Sequence, residues 1–419
     1  MSSAPIPSTI LSFEDARHLV EQHASRVQPG GTEVVELLAA GGRVLAEPVL
    51  ADRDIPPFAR STRDGYAVRS ADLVELPVRL NVIGEIKAGE RLERIPCSIE
   101  PGQAAAIMTG APAPDGADAV VMVEFTAREG DRVEIQKGIA AGDNIVPRGA
   151  EARQGAVLLD RGLRLNDAGV ALAASAGKTK LAVYKRPRVA LLTTGDEIVE
   201  IRSRPGPTQI RNSNSYSLAV QIQAAGGEAV LLPIAPDEPK ALRELIEQGL
   251  QSDLLLMTGG VSMGRYDLVE PVLAEMQAEF FFTGAKIQPG RPVVFGRCGG
   301  GAPAREDAKY FFGLPGNPIS TMVTFELFAR PMLEALAGQS PSKLMFLHAL
   351  LKKEIRVKTG LKRFLPAILS GEFSDCGVEL LRWQGSGDIA ATARANCYIV
   401  IPNDREYIAA GEWVAVMMR

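Results

Sequence analysis

The chain reads as a multidomain protein of α/β plus β type: a three-layer α/β/α unit flanked by β-rich units. Three observations carry this reading. From Arg188 onward, apolar runs of strand length alternate with helical patterns, as in a parallel sheet covered on both faces. Between about Arg53 and Pro147, and again from about Leu344, short alternating runs are punctuated by Gly and Pro turns. The 41 glycines and 28 prolines are many for a helical protein and suit short strands and functional loops.

"SFEDARHLVEQHA" opens on Ser12, carries acids in its first turn and then spaces its apolar residues as a helix does. "VRLNVIG", "AAAIMTG", "DAVVMVEF" and "DRVEIQ" follow, separated by turns, and predict an all-β insertion. "LNDAGVALAASAG" predicts a short packed helix that returns to the first element. In the α/β unit, "RVALLTT", "EAVLLPIA", "DLLLMT" and "KYFFGL" are strands. "NSYSLAVQIQAAGG", "DEPKALRELIEQGL", "YDLVEPVLAEM" and "NPISTMVTFELFARPMLEAL" are helices, the second with Pro239 in its first turn. "KEIRV", "RFLPAIL", "VELLRW", "NCYIVIP" and "EWVAVM" then alternate well enough for a small barrel or sandwich.

The 419 residues suggest two to four domains, and a net charge of −4 gives no global field toward nucleic acid or anionic membrane. Any anionic ligand must be met by local clusters of Arg and Lys. Cys97, Cys298, Cys376 and Cys397 show no C-x-x-C spacing, and there are only three histidines. Buried, reduced thiols in a cytoplasmic protein are expected, rather than a disulfide framework or a zinc site. A catalytic metal would be a hard ion held by oxygen, such as Mg²⁺. The first residues lack a basic region followed by an apolar run, and no apolar run reaches the roughly 18 residues of a membrane span.

Three strands of the α/β unit run into polar, glycine-containing loops: "TTGDE" (193–197), "MTGGVSMGRYD" (257–267) and "GLPGNP" (313–318). In an open parallel sheet the carboxyl ends of the strands form the ligand crevice. Glycine there lets backbone N–H groups approach a phosphate. Asp196, Glu197 and Asp267 lie in these loops, and Asp237 opens another strand-to-helix connection. Carboxylates beside a phosphate repel one another unless a cation joins them. For Asp237, helix capping is an equal alternative. Lys286 and Arg291 flank a Pro-Gly turn where they could clamp an anion or simply be solvated. "GVSMG" fits G-x-S-x-G and raises a serine-hydrolase alternative using Ser262, although no HGGG-type segment occurs and the only following histidine, His348, lies at the start of the last β unit.

"PPFARSTRDGYAV" (56–68) sets Asp64 among Arg60, Arg63 and Arg69. As local chemistry it is a turn. Its place beside "PGQAAAIMTGAPAPDGADAVVMVE", "RPRVALLTTGDEIV", "TGGVSMGRYDLV", "PGRPVVFG", "GLPGNPIS" and "GSGDIAATARANCYIVIP" gives it more. Motifs of this kind in this order resemble the molybdopterin molybdenumtransferase family, bacterial MoeA and the gephyrin E domain, over nearly the whole chain.

The resemblance implies an elongated linking domain (1–54 and 148–185), a β-rich insertion (55–147), an α/β molybdopterin-binding domain (186–340) and a C-terminal β-barrel (341–419). It implies insertion of molybdate into adenylylated molybdopterin with release of AMP, helped by a divalent cation such as Mg²⁺. It further implies a homodimer whose active cleft is shared between subunits, and a contact with the molybdopterin adenylyltransferase; neither nucleic acid nor membrane is a partner. By matching position, Asp64, Thr109, Glu197, Asp237 and Asp267 are the catalytic candidates. Gly195, Asp196, Gly259, Gly260, Ser262, Lys286, Arg291, Pro315, Pro318 and Ser386 are the substrate- and phosphate-binding ones. Asp196, Glu197 and Asp267 would hold the metal, while Arg60 and Arg63 would offset charge beside Asp64. The chain departs from the family's usual pattern at Ala150, Glu151, Asn212, Arg265 and Gln288, which leaves a non-catalytic pterin-binding or scaffold paralogue as a further alternative.

Overall fold

The computed structural model describes residues 9–90, 98–260, 268–299, 308–339 and 343–419. Its centre is a six-stranded sheet of β1 (Arg188–Thr193), β2 (Glu228–Leu231), β3 (Leu254–Thr258), β4 (Glu279–Phe282), β5 (Val294–Cys298) and β6 (Lys309–Leu314). The order is β2-β1-β3-β6-β5-β4. The first four strands are parallel, and β5 and β4 close the sheet antiparallel. Register sets Thr193 beside Thr258, and Thr258 beside Leu314, so the strands end level.

Successive side chains of a strand point to opposite faces, and both faces are buried here. Leu191, Leu254 and Phe312 share one core with Leu218 and Ile222 of α1 (Asn214–Ala224), and with Ile319 and Val323 of α4 (Pro318–Thr324). Ala190, Leu192, Leu255 and Phe311 share the other with Leu242 and Ile246 of α2 (Pro239–Gly249) and Leu273 of α3 (Val269–Glu275). This is the expected three-layer unit, with an antiparallel edge that the strand–helix rhythm did not foretell. The long helix after Pro318 is interrupted by a π-helical turn, Phe325–Ala329, before it resumes at Arg330–Leu336. Pro331 stands just beyond the turn; it has no N–H to give the helix ladder.

Helix Phe13–Ala24 is capped by Ser12, whose Oγ accepts from the Asp15 N–H at 3.0 Å. Its apolar face (Phe13, Ala16, Val20, Ala24) joins the first core of the α/β unit, and Phe364 and Tyr398 of the barrel join the same core. This helix belongs by packing to the α/β unit, although the division at residue 54 would put it in the linking unit. The linking unit proper pairs Thr32–Glu36 antiparallel with Lys180–Tyr184 and covers them with helix Asp167–Ser175 around Leu45, Leu165 and Leu181.

The insertion is a six-stranded sheet in the order Ala119–Met122, Gly65–Val68, Gln103–Ile107, Val78–Ile86, Arg132–Ile135, Thr126–Glu129. At the C-terminal end, Lys362–Ser370, Gly377–Leu380, Phe346–Leu351, Trp413–Met418 and Cys397–Ile401 pair in turn. The last pairs back onto the first, closing a five-stranded barrel. The short strand Ile287–Gln288 of the α/β unit pairs with Lys362 and Arg363 and fixes the barrel to the sheet. Cys298 and Cys397 are buried free thiols, and burial pushes Cys397 up to about 11, so it is inert at neutral pH. Cys97 lies outside the described residues.

Candidate functional site

The level strand ends make a floor of hydroxyls. Thr193 Oγ1 lies 2.8 Å from Ser215 Oγ and 3.1 Å from Thr258 Oγ1, and Asn212 braces Ser215 through its Nδ2 at 3.0 Å. Asn214 Nδ2 donates to the Gly316 carbonyl at 2.7 Å, tying α1 to the loop after β6. Above this floor Gly259 and Gly260 have φ of +85° and +61°, a conformation open to glycine. A Cβ at Gly259 would sit 2.6 Å from the Thr194 carbonyl oxygen, so the turn rests directly on the TTGDE loop. Thr194 Oγ1 beneath it is enclosed and has no hydrogen-bond partner among the described residues. A cleft of ≈ 770 Å³ opens here, lined among others by Glu197, Gly259, Gly260, Pro315 and Pro318.

The carboxylates gather at the rim. Thr194 bridges to Ala235, which carries the chain toward Asp237, and Asp196 Oδ1 accepts from the Asp237 N–H at 3.1 Å. The helix behind Asp237 is entered through Glu238, with Pro239 in its first turn, so Asp237 is not its N-cap. The Glu197 side chain folds over Gly195, where a Cβ would meet Glu197 Oε2 at 2.6 Å. Ser262, Arg265 and Asp267 lie outside the described residues. Among the described residues no group of three His, Cys, Asp or Glu converges on a point. The acids at the rim are oxygen donors suited to a hard divalent ion whose other positions are filled by phosphate and water.

A second cleft of ≈ 1020 Å³ adjoins the first, sharing Pro292, Pro315 and Asn317 in its lining. Asn317 Nδ2 donates to Ser386 Oγ at 2.9 Å, and the Ile319 N–H donates to the Ser386 carbonyl at 3.0 Å. Ser386 therefore closes the PGNP turn against the barrel. Arg291 and Gln288 line this cleft from the α/β side; Arg356, Lys358, Arg363 and Trp383 line it from the barrel side. Arg363 is buried, and burial pulls its guanidinium below its ordinary value. Lys286 is exposed and does not line the cleft; its backbone bonds to Leu11 and Lys362. The barrel cations were missed in the sequence because isolated arginines on alternating strands look solvated. The hydroxyl floor was missed too, though Thr at the end of two apolar strands was a visible signal.

Asp64 and Thr109, 45 residues apart, are brought into direct contact. Asp64 Oδ1 accepts from the Thr109 N–H at 2.6 Å and from Thr109 Oγ1 at 2.9 Å. The bonds from Thr109 hold this exposed carboxyl below its usual range, so it is ionised at neutral pH. The backbone of the loop is a tight crossing: a Cβ on Gly65 would lie 1.9 Å from the Val121 carbonyl oxygen. Arg60 does not flank Asp64 as a charge partner; its Nη2 lies 3.1 Å from Glu151 Oε1. Neither Asp64 nor Thr109 lines the two clefts of its own chain. His348 is exposed on a barrel strand opposite Ala415, so no described residue supports the serine-hydrolase alternative.

Comparison with known proteins agrees along the whole length. Residues 11–177 match the family described as MoeA N-terminal region (domain I and II), residues 190–335 the probable molybdopterin binding domain, and residues 348–418 the MoeA C-terminal region (domain IV). The chain is 35% identical to the molybdopterin molybdenumtransferase of Nostoc sp. over 92% of this chain and 88% of that one. It is 32% identical to that of Bacillus subtilis over 93% and 90%. Among solved structures it is similar to the molybdopterin biosynthesis MoeA protein of Pyrococcus horikoshii OT3, with TM-score 0.77, 28% identity and coverage of 98% and 100%.

Proposed function

The chain belongs to the molybdopterin molybdenumtransferase family, which performs the MoeA step of molybdenum cofactor biosynthesis, and from that premise we propose how its clefts divide the work. Adenylylated molybdopterin lies along the two joined clefts. The observation that supports this is what lines them: Glu197 and a glycine turn beside Arg211 at the strand ends, and Arg291, Arg356, Lys358 and Arg363 around the single acid Glu354 in the barrel cleft. A phosphoanhydride needs both. The Gly260 N–H approaches its phosphates closely, Gly259 giving its own to the Leu314 carbonyl, and Arg291, Arg356, Lys358 and Arg363 offset their charge. Arg291, which lines the barrel cleft, supplies positive charge for molybdate, the second substrate; Lys286, expected to share this part, stands outside the cleft.

Asp196 and Glu197, with Asp267, are the residues that would hold Mg²⁺. Bound there, it would draw negative charge from the phosphate oxygens as the link to AMP breaks. The protein works in the cytoplasm as a homodimer, and takes its substrate from the molybdopterin adenylyltransferase. The partner subunit's Asp64 and the partner subunit's Thr109 complete the cleft. What supports the shared cleft is that this pair is prepared by two short hydrogen bonds yet lines neither of these two clefts in its own chain. Exposed Met108 and Val123 adjoin the pair, as a buried contact would require.

The test is subunit mixing. Asp64→Ala and Glu197→Ala homodimers are each expected to lose AMP release from adenylylated molybdopterin, molybdate and Mg²⁺. Mixed one to one, half of the dimers carry one intact cleft, and roughly a quarter of the wild-type rate should return. No return on mixing, with dimers confirmed, would sink the shared cleft.

A further inference from the structure

The insertion unit joins the rest of the chain through two crossings, one rising through residues 54–61 and one returning through 145–154. Below, they are laddered. The Ile55 N–H donates to the Ala152 carbonyl at 2.8 Å, the Glu151 N–H to the Ile55 carbonyl at 2.9 Å, and the Gly149 N–H to the Pro56 carbonyl at 2.9 Å. Above, Arg60–Ser61 pairs with Ile145–Val146. Between these stretches stand Pro56, Pro57 and Pro147, which have no N–H to donate. The neck's ladder is interrupted where the unit must be aimed.

Two ion pairs brace that interruption, each with its acid on the linking side: Glu151–Arg60 crosses it, and Asp54–Arg148 holds its lower edge beside Pro147. Asp54 on the linking side takes Arg148 Nε at 2.7 Å, and Glu151 on the linking side takes Arg60 Nη2 at 3.1 Å on the insertion side. Asp54 is itself held: its Oδ1 accepts from the Gln154 N–H at 2.9 Å, and Arg153 Nη1 lies 3.8 Å from Oδ2. Its carboxylate is largely shielded, with 13% of the side chain exposed, while Arg148 is 67% exposed. The acid is a fixed post, and the arginine is the arm that leans on it.

We propose that this neck is an electrostatic hinge, in which Asp54 and Glu151 act as positioning residues. By clamping Arg148 and Arg60 they fix the angle at which the insertion unit presents Asp64 and Thr109 to a partner cleft. The inference rests on the shared-cleft reading. It also explains Glu151, whose carboxylate braces the neck instead of facing the site. Exposed ion pairs weaken as salt rises, so the hinge makes turnover sensitive to ionic strength while leaving the folded units unchanged.

The test compares Asp54→Asn, Arg148→Gln and the swap Arg60→Glu with Glu151→Arg, in the full-length dimer. Asp54→Asn and Arg148→Gln should lower kcat for AMP release about five- to tenfold, with KM for the adenylylated pterin little changed. The Gly149, Glu151 and Ala152 amides should exchange hydrogen several-fold faster, while the Val120 and Val121 amides of the insertion sheet stay protected. Arg60→Glu alone should slow turnover, and adding Glu151→Arg should restore it. The wild-type rate should fall with NaCl more steeply than that of Asp54→Asn. Unchanged kcat and neck exchange in both single variants would overturn the hinge, as would equal loss of protection throughout the insertion sheet. Asp64→Ala is assayed in parallel: full activity there removes the shared-cleft reading itself, whereas an inactive Asp64→Ala beside a normal Asp54→Asn removes only the hinge.

Discussion

Gly65→Ala is the sharpest perturbation the structure offers. The added Cβ would stand 1.9 Å from the Val121 carbonyl oxygen and 2.8 Å from its carbon, against an ordinary contact of 3.4 Å or more. The strands must part by roughly 1.5 Å (3.4 − 1.9) to admit it. Both sides are backbone, so no flexible side chain can yield. Gly65 is paired with Met122 of the edge strand on one side and with Ile107 on the other. Losing two or three ladder hydrogen bonds at about 1 kcal/mol each costs ~2–3 kcal/mol. For a unit of this size that is about 10–20 °C in the midpoint of its unfolding transition. The same displacement moves Asp64, the neighbouring residue, and an error of about 1 Å at a reacting group can cost on the order of a hundredfold in rate. Scanning calorimetry of the full chain and AMP release are measured together. Gly30→Ala is the control, because nothing lies within 4 Å of a Cβ there. An insertion-unit midpoint within about 2 °C of wild type, with normal AMP release, would refute the reasoning.

Other expectations concern charge. Thr109→Val removes the hydroxyl bond to Asp64 but keeps the N–H bond, so the Asp64 carboxyl should titrate higher than in wild type by NMR; an unmoved titration would mean that the hydroxyl contributes nothing. His23 is kept below its ordinary value by burial and by Arg26 and Arg297, with Glu279 opposing. Its unfolded form takes up a proton first, so stability should fall as pH drops below about 6.5, and His23→Phe should flatten that loss in thermal melts. Gln288 and Arg291 line the barrel cleft, so Gln288→Lys should lower the molybdate concentration for half-maximal AMP release, tenfold for each ~1.4 kcal/mol gained, while Arg291→Ala should raise it; equal values in all three proteins would move the oxyanion elsewhere. EDTA should abolish AMP release and Mg²⁺ should restore it; activity surviving EDTA would remove the metal from Asp196 and Glu197.

The α/β layers were legible because parallel strands buried on both faces must be written as unbroken apolar runs, and "RVALLTT" and "DLLLMT" are such runs. The antiparallel edge was not. "EFFF" lies only a few residues beyond the end of a helix pattern, and "VVFGRC" follows a Pro-Gly turn that reads as loop. The helix at Phe13–Ala24 was legible as a helix, yet its apolar stripe does not say which unit it will cover. Its docking partner is fixed by pairing of Ile10–Leu11 with Gly284–Ala285, residues too few to carry a pattern. The strand-end acids could be named from their loops, since a carboxylate after an apolar strand has few other uses. The contact between Asp196 and Asp237 needed the bridge at Thr194 and Ala235, a tertiary fact.

The barrel arginines show where local reading ends and topology begins. Arg356, Lys358 and Arg363 sit among solvated charges in the sequence, and the chain is acidic as a whole. They become one wall only because Lys362–Ser370 pairs both with Cys397–Ile401, closing the barrel, and with Ile287–Gln288, docking it on the sheet. Positive charge thus comes mostly from the barrel, joined by Arg291 and Arg211 of the α/β unit, and Glu197 faces it across the line where PGNP meets Ser386. A substrate with several phosphate charges is held only while both walls are present. If the partner subunit's Asp64 enters this cleft, as proposed, its charge would be repelled by the strand-end acids unless a cation stands between them. On the proposed reading, the same electrostatics that would make the barrel wall a phosphate cradle would make productive docking of the insertion unit depend on the metal. Metal and insertion should act as one unit: removing either from the reaction should cost nearly as much as removing both.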